Sequence, residues 1–126
     1  DTTYTNMRRT KVDRRYYNYA VAGMRRAVEQ GTCRGADFPG VQVCGKTGTA
    51  QNRGHDHSAF MGFAPMNNPK IAVCVYVENG GFGADFAVPI GSLIMEQYVN
   101  GKLSASSEIK ANTFQHRHIS YGRQAR

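Results

Sequence analysis

VCGKTGTAQN, residues 43–52, decides how the rest of the chain is read. It sets one cation, Lys46, and two hydroxyls, Thr47 and Thr49, around Gly45 and Gly48. Two chemistries use nearly this string, and each demands a different backbone. Read backwards from Thr47, Gly40, four residues and Gly45-Lys46-Thr47 spell a phosphate-binding loop. Such a loop follows a buried strand and opens a helix whose free N–H groups hold the phosphate. Here GADFPG (35–40) precedes it, which breaks a strand, and GTAQNRG (48–54) follows, which is a poor helix start. The intervening VQVC (41–44) is strand-forming. On a strand, period two puts Lys46 and Gly48 on one face and Thr47 and Thr49 on the other. The two hydroxyls can then hold a carboxylate, and Lys46 adds positive potential. Gly48 leaves room for a neighbouring element to approach the backbone, and an edge strand offers free N–H and C=O groups to an extended peptide.

Working outward, YYNYAVAGMRRAVEQ (16–30) places Tyr17, Val21, Met24 and Val28 at helical spacing, with Gly31 as a stop. Residues 41–49 read as a strand, and SAFMGFA (58–64) as a second, bounded by the turn MNNP. The third strand, 71–77, is an unbroken apolar run, which implies cover on both faces. Residues 86–99 read as a helix with Pro89 in its first turn, a buried stripe of Ile90, Leu93, Ile94 and Tyr98, and Gly101 as its stop. From Ser104 onward the chain is polar and aperiodic and is expected to be a mobile tail, giving a division into 1–103 and a basic 104–126. Short links between strands favour an antiparallel meander with a helix before and after it.

Composition narrows the function classes. A chain of 126 residues suits one domain with a modest core. No apolar run approaches the roughly 18 residues of a membrane span, and no signal peptide or membrane anchor is read in it. The net charge of +7 raises nucleic acid or a carboxylate ligand as partners. The basic residues cluster in MRRTKVDRR (7–15) and HRHISYGRQAR (116–126), outside the patterned middle, so they read as solvated ends rather than a nucleic-acid surface. Cys33, Cys44 and Cys74 form neither an even disulfide set nor a metal pair, and Cys44 and Cys74 read as small buried hydrophobes. His55-Asp56-His57, His116 and His118 read as solvated, and Glu78 as a strand end. Neither a metal nor another cofactor is expected.

GKTGTAQN (45–52), then HDHSAFMGFAPMNNPKIAVCVYVENGG (55–81), then AVPIGSLIMEQYV (87–99) resembles the C-terminal part of the class B penicillin-binding proteins, of the penicillin-binding protein 2 type. GMRRAVEQGT (23–32) resembles the helix and turn before the family's Lys-Thr-Gly motif. The resemblance spans roughly residues 16–100. It implies an α/β fold of α+β type, with a five-stranded antiparallel sheet between helical layers. This chain would supply the last three strands, as a meander flanked by helices.

The implied activity is D,D-transpeptidation of peptidoglycan stem peptides ending in D-Ala-D-Ala, at the periplasmic face of the inner membrane, with β-lactams as inhibitors of the complete protein. Lys46 would be the motif lysine, Thr47 and Thr49 the carboxylate clamp with Gly48 between them, and the Thr49 N–H an oxyanion donor. The family's nucleophile sits in an earlier S-x-x-K motif, and this chain has no serine before Lys46. SEIK (107–110) matches the letters but lies after the motif, and YTN, YYN and YVN match a loose variant of the family's other motif by chance. The chain is therefore expected to be an inactive fragment carrying one wall of an active site. Its strand 71–77, uncharged and free of proline, is expected to self-associate at its open edge. The alternative is a small basic module that binds nucleotide phosphate or nucleic acid. A strand rather than a loop at 41–49 separates the two.

Overall fold

The computed structural model describes residues 5, 7 and 9–119. Of the two charged ends and the tail expected from the sequence, Arg8 and residues 120–126 lie outside the described residues, as do Tyr4 and Asn6 of YTN. The elements are α1 (Arg14–Glu29), a 3-10 turn (Arg34–Ala36), β1 (Cys44–Ala50), β2 (His57–Ala64), β3 (Ile71–Val77), α2 (Ala87–Asn100) and α3 (Ala105–Gln115). Asp13 starts α1 by accepting the Arg15 N–H on its side chain, and the Gly31 N–H closes it on the Ala27 carbonyl. The strands form an antiparallel sheet in the order β1-β2-β3, so the meander holds. Lys46 pairs with Met61 and Thr47 with Phe60, and Phe60 in turn pairs with Val75. β1 starts at Cys44 rather than 41, because Val41 is held in an isolated bridge to Phe38.

One ring organises the packing. Phe60 is 1% exposed and faces α2. A Cβ built at Gly45, Gly62 or Gly91 would stand 2.5, 2.6 or 2.5 Å from a carbon of that ring. Glycines on β1, β2 and α2 thus make the space the ring fills. Around it lie Val28, Cys33, Ala36, Phe38, Val43, Val88 and Met95, all buried.

Four expectations are corrected. The buried residues of α2 are Ala87, Val88, Gly91, Ser92, Met95 and Glu96, whereas Ile94 and Tyr98 are exposed. Gly91 sits on the inner face because the helix lies close on Phe60. The larger aliphatics instead border an open hollow with Ile71. β3 is covered on one face only, by α2, and is an outer strand among the described residues. Ile71, Val73, Val75 and Val77 are half-buried toward α2, while Ala72, Cys74 and Tyr76 are exposed. Cys74 is consequently not a buried hydrophobe. Cys44, by contrast, is buried as expected. Finally, residues 105–115 are helical rather than aperiodic.

α3 escapes a periodicity search because polar groups anchor it. Ser104 caps it, accepting the Ser107 N–H. Glu96 of α2, 1% exposed, accepts the Ser104 N–H on Oε1 at 3.0 Å. Burial pushes the Glu96 carboxyl up, but hydrogen bonds from Ser107 and Ser104 and the charge of Lys110 outweigh it and hold the group below its ordinary range. A depressed carboxylate contributes stability that is present above its unfolded value and lost as pH falls through the folded one. The α3 anchorage should therefore be intact above about pH 4.3, the ordinary glutamate value, and release below it. Amide exchange in residues 104–110 across that window would show it. Glu96→Gln should release α3 already at neutral pH, and unchanged protection in that variant would remove the carboxylate from the anchorage.

Candidate active-site wall

β1 carries the motif in its middle, Gly45-Lys46-Thr47-Gly48-Thr49, with no helix opening after it. The strand geometry removes the phosphate-loop reading, since a cradle needs successive N–H groups converging from a loop. The register puts Gly45, Thr47 and Thr49 on the face shared with Phe60, and Lys46 and Gly48 on the opposite face with Met61 and Ala59. Period two held. β1 pairs only with β2 among the described residues, so its other side is open to an added strand.

Thr47 is half-buried and held from two directions. Its Oγ1 lies 2.7 Å from Thr32 Oγ1. Its backbone is hydrogen-bonded to the thiol of Cys33. N–H groups two residues apart along a strand point the same way, so the Thr49 N–H shares its side of the strand with that of Thr47, on an exposed residue. From the other side, the loop between β3 and α2 presses Gly83 onto the strand. A Cβ there would stand 2.8 Å from the Gly48 carbonyl oxygen and 3.0 Å from Thr47 Cβ. Ser58 fixes this loop, donating to the Phe82 carbonyl at 2.9 Å and accepting the Ala87 N–H at 3.1 Å.

Lys46 is exposed and donates to the Thr47 carbonyl at 2.7 Å. Burial raises the Cys33 thiol above its ordinary value, only partly countered by Thr32, Thr47 and the Lys46 charge, so the sulfur is a neutral packing group. Thr32 and Cys33 are absent from the motif. Their only sequence signal is the turn GTC following the stop of α1.

The remaining candidates lie elsewhere. Ser107 of SEIK is 6% exposed and bonded to Ser104, and its Lys110 turns instead to the Gly35 carbonyl at 2.6 Å, so this serine has no lysine beside it to act as base. His57 is the first residue of β2 rather than part of a free turn. Its Nδ1 accepts the Asn79 N–H at 3.0 Å, and its ring lies 5.4 Å from that of Tyr76. No group of three metal-ligating side chains gathers among the described residues.

Comparison with known proteins places this geometry. The penicillin binding protein transpeptidase domain family matches residues 1–96. Peptidoglycan D,D-transpeptidase MrdA of Haemophilus influenzae is 36% identical over 78 residues, 49% of this chain and 12% of that protein. PbpA of Mycobacterium tuberculosis is 41% identical over 76 residues, 52% of this chain and 15% of the relative. This chain thus spans under a sixth of the length of the curated relatives it matches. Among solved structures, penicillin-binding protein A of M. tuberculosis, as a ceftriaxone acyl-enzyme complex, aligns with a TM-score of 0.67 and 31% identity, over 75% of this chain and 23% of the other. PBP2 of Pseudomonas aeruginosa, in complex with WCK 5153, aligns at 0.63 and 39%, over 75% and 22%. With the family's model matching residues 1–96 and its solved members sharing the antiparallel strands and flanking helices, the chain belongs to the penicillin binding protein transpeptidase domain family.

Proposed function

We propose that this chain is the C-terminal, carboxylate-binding wall of a serine-type peptidoglycan D,D-transpeptidase, with the nucleophile supplied by sequence outside it. The observation that carries the reading is the motif on an outer strand, with Thr47 and Thr49 on one face and Lys46 on the other. A stem peptide ending in D-Ala-D-Ala adds along the open side of β1. Thr47 and Thr49 donate their hydroxyl protons to its terminal carboxylate, with Gly48 between them keeping the backbone accessible. For Thr47 to donate, Thr32 must supply the proton in their mutual bond, which the 2.7 Å contact allows. The serine attacks the penultimate D-Ala carbonyl, and the Thr49 N–H stabilises the oxyanion. D-Ala leaves with the proton that the serine gave up. An amine of a second stem peptide then takes the acyl group.

Lys46 supplies positive potential to the reacting groups from the opposite face. β-Lactams are expected to acylate the complete protein at the same serine; the similar M. tuberculosis protein is known as a ceftriaxone acyl-enzyme complex. The site of action is the periplasmic face of the inner membrane. No helix among the described residues is long and apolar enough to cross a membrane.

Fluorescent penicillin tests the assignment. The complete protein should carry stoichiometric label on a denaturing gel, and the 126-residue chain should carry none, since it has no serine before Lys46. Stoichiometric labelling of the short chain would overturn the division of the site. A complete protein that stays unlabelled would overturn the transpeptidase reading itself.

The open side of β3 implies a second behaviour for the isolated chain. Tyr76 and, beside it on β2, Met61 are more than half exposed, and no charge interrupts Ile71–Val77. Such an edge pairs with another strand. Light scattering at tens of micromolar, the range in which exposed edges drive association, should show self-association that Cys74→Lys suppresses. A clean monomer in the parent chain would sink the edge-pairing idea.

A further inference from the structure

α3 begins after residue 96, where the family match ends, and it packs on α2 rather than on the motif strand. Its two cations nevertheless reach the two loops that enclose Thr47. Lys110 Nζ donates to the Gly35 carbonyl at 2.6 Å and to Ser92 Oγ at 3.4 Å. Gly35 lies in the 3-10 turn that directly follows Thr32 and Cys33, the two residues bonded to Thr47. Arg117, just past the end of α3, donates to the Asp85 carbonyl at 2.6 Å. Its guanidinium lies 4.5 Å from the ring centroid of Phe86, which meets Phe114 of α3 edge to face at 5.6 Å. Asp85 and Phe86 end the loop whose Gly83 presses on Gly48 and Thr47.

Both cations therefore spend their strongest bond on a backbone carbonyl of a loop, one on each side of the same threonine. A surface cation serving only solubility has no reason to do so twice. A charged donor on a carbonyl fixes the loop backbone, whatever its side chains do. Lys110 is partly desolvated, which pushes its ammonium down and makes its hydrogen bonds harder to replace. The base of α3 is itself pinned by Glu96 through Ser104.

We infer that α3 is a clamp, in which Lys110 and Arg117 are positioning residues that hold the two loops against Thr47 and so set the carboxylate site. This rests on the transpeptidase reading for its consequence, though not for its geometry. Neither residue touches substrate. Each acts through one loop, and this gives the clamp a signature that general stabilisation lacks.

In the complete transpeptidase, Lys110→Met should speed amide exchange in residues 32–37 about tenfold, as expected for loss of one charged hydrogen bond, and leave 82–86 near the parent. Arg117→Ala should do the reverse. Both should raise the half-saturating penicillin concentration for acylation about tenfold while leaving the limiting rate nearly unchanged, because a carboxylate contact is made equally before and in the transition state. Arg117→Lys, which keeps a cation near the Asp85 carbonyl, should recover part of the loss. The inference is overturned if neither loop changes, if either substitution speeds exchange evenly through all elements, or if the loops loosen while acylation keeps the parent's constants. A parent protein that is not acylated would instead overturn the transpeptidase reading, and the exchange pattern would still decide whether α3 clamps the loops.

Discussion

Lys46→Ala in the complete transpeptidase is expected to lower the second-order rate of penicillin acylation by about 30- to 900-fold and to leave the thermal midpoint within a degree or two of the parent. The split follows from where the side chain sits. Lys46 is exposed on the face of β1 opposite Phe60, and it donates to the carbonyl of the next residue. Removing it opens no cavity and strands no buried partner, so the fold has little to lose. On the proposed mechanism, the substitution removes a positive charge near the substrate carboxylate and the developing oxyanion. Truncating one side of such a contact costs on the order of 2–4 kcal/mol, and each 1.36 kcal/mol is tenfold in rate. Lys46→Arg should recover only part, because a planar fork does not replace a point charge bonded to the Thr47 carbonyl. Acylation of the alanine variant at the parent's rate would take Lys46 out of the mechanism. A large fall in thermal midpoint would make its role structural instead.

Most of the sheet was legible in the residues because each strand carries its own period and its own punctuation. Lys46 and Thr47 do fall on opposite faces, and MNNP does return β2 into β3. What misled was the equation of large apolar residues with the inner face. On α2 Ile94 and Tyr98 point away, and Gly91 points in, because the partner surface is a phenylalanine ring that needs the space. Helical periodicity finds an apolar stripe, but it cannot tell the tighter stripe from the wider one. β3 misled in the opposite sense: an unbroken apolar run normally means two covered faces, yet α2 covers only the face of Val73 and Val75.

The site divides in the same way. Lys46, Thr47, Gly48 and Thr49 are contiguous, so a motif could nominate them. Thr32 and Cys33 come to Thr47 only because the turn after α1 folds back beside it, and pairing across a loop leaves no periodic trace. α3 is the extreme case. Its buried face is Ser107, with Glu96 and Lys110 as anchors, so its packing resides in polar partners that a hydropathy pattern counts as solvent. Hydropathy therefore recovered the strand that carries the motif and missed the polar supports that hold it in place.

Phe60 is where fold and site share one side chain, and it carries the largest expected effect on stability. Phe60→Ala should destabilise the domain by about 3–5 kcal/mol, the usual range for emptying a buried phenylalanine site. The more telling substitution is Gly91→Ala. Its Cβ would stand 2.5 and 2.6 Å from two carbons of the Phe60 ring, with Val73 behind it at 3.6 Å. The ring has no room to retreat, because Gly45 and Gly62 already lie against its far side. Overpacking of this kind costs about 1–3 kcal/mol. Residues in direct contact are coupled, so the penalty should shrink by more than half in a Phe60→Leu background, where the smaller side chain leaves the new methyl a place. Denaturant midpoints of the four proteins, parent, two singles and the double, measure that coupling directly. Strict additivity would mean that the ring and the helix glycine do not share the space, and Phe60 would lose its place as the centre of the packing. If coupling is found, acylation of the Gly91→Ala protein gives the link to function. Gly45 immediately precedes Lys46, so a ring displaced by the new methyl pushes on the strand at the motif, and the acylation rate should fall even where the protein remains folded.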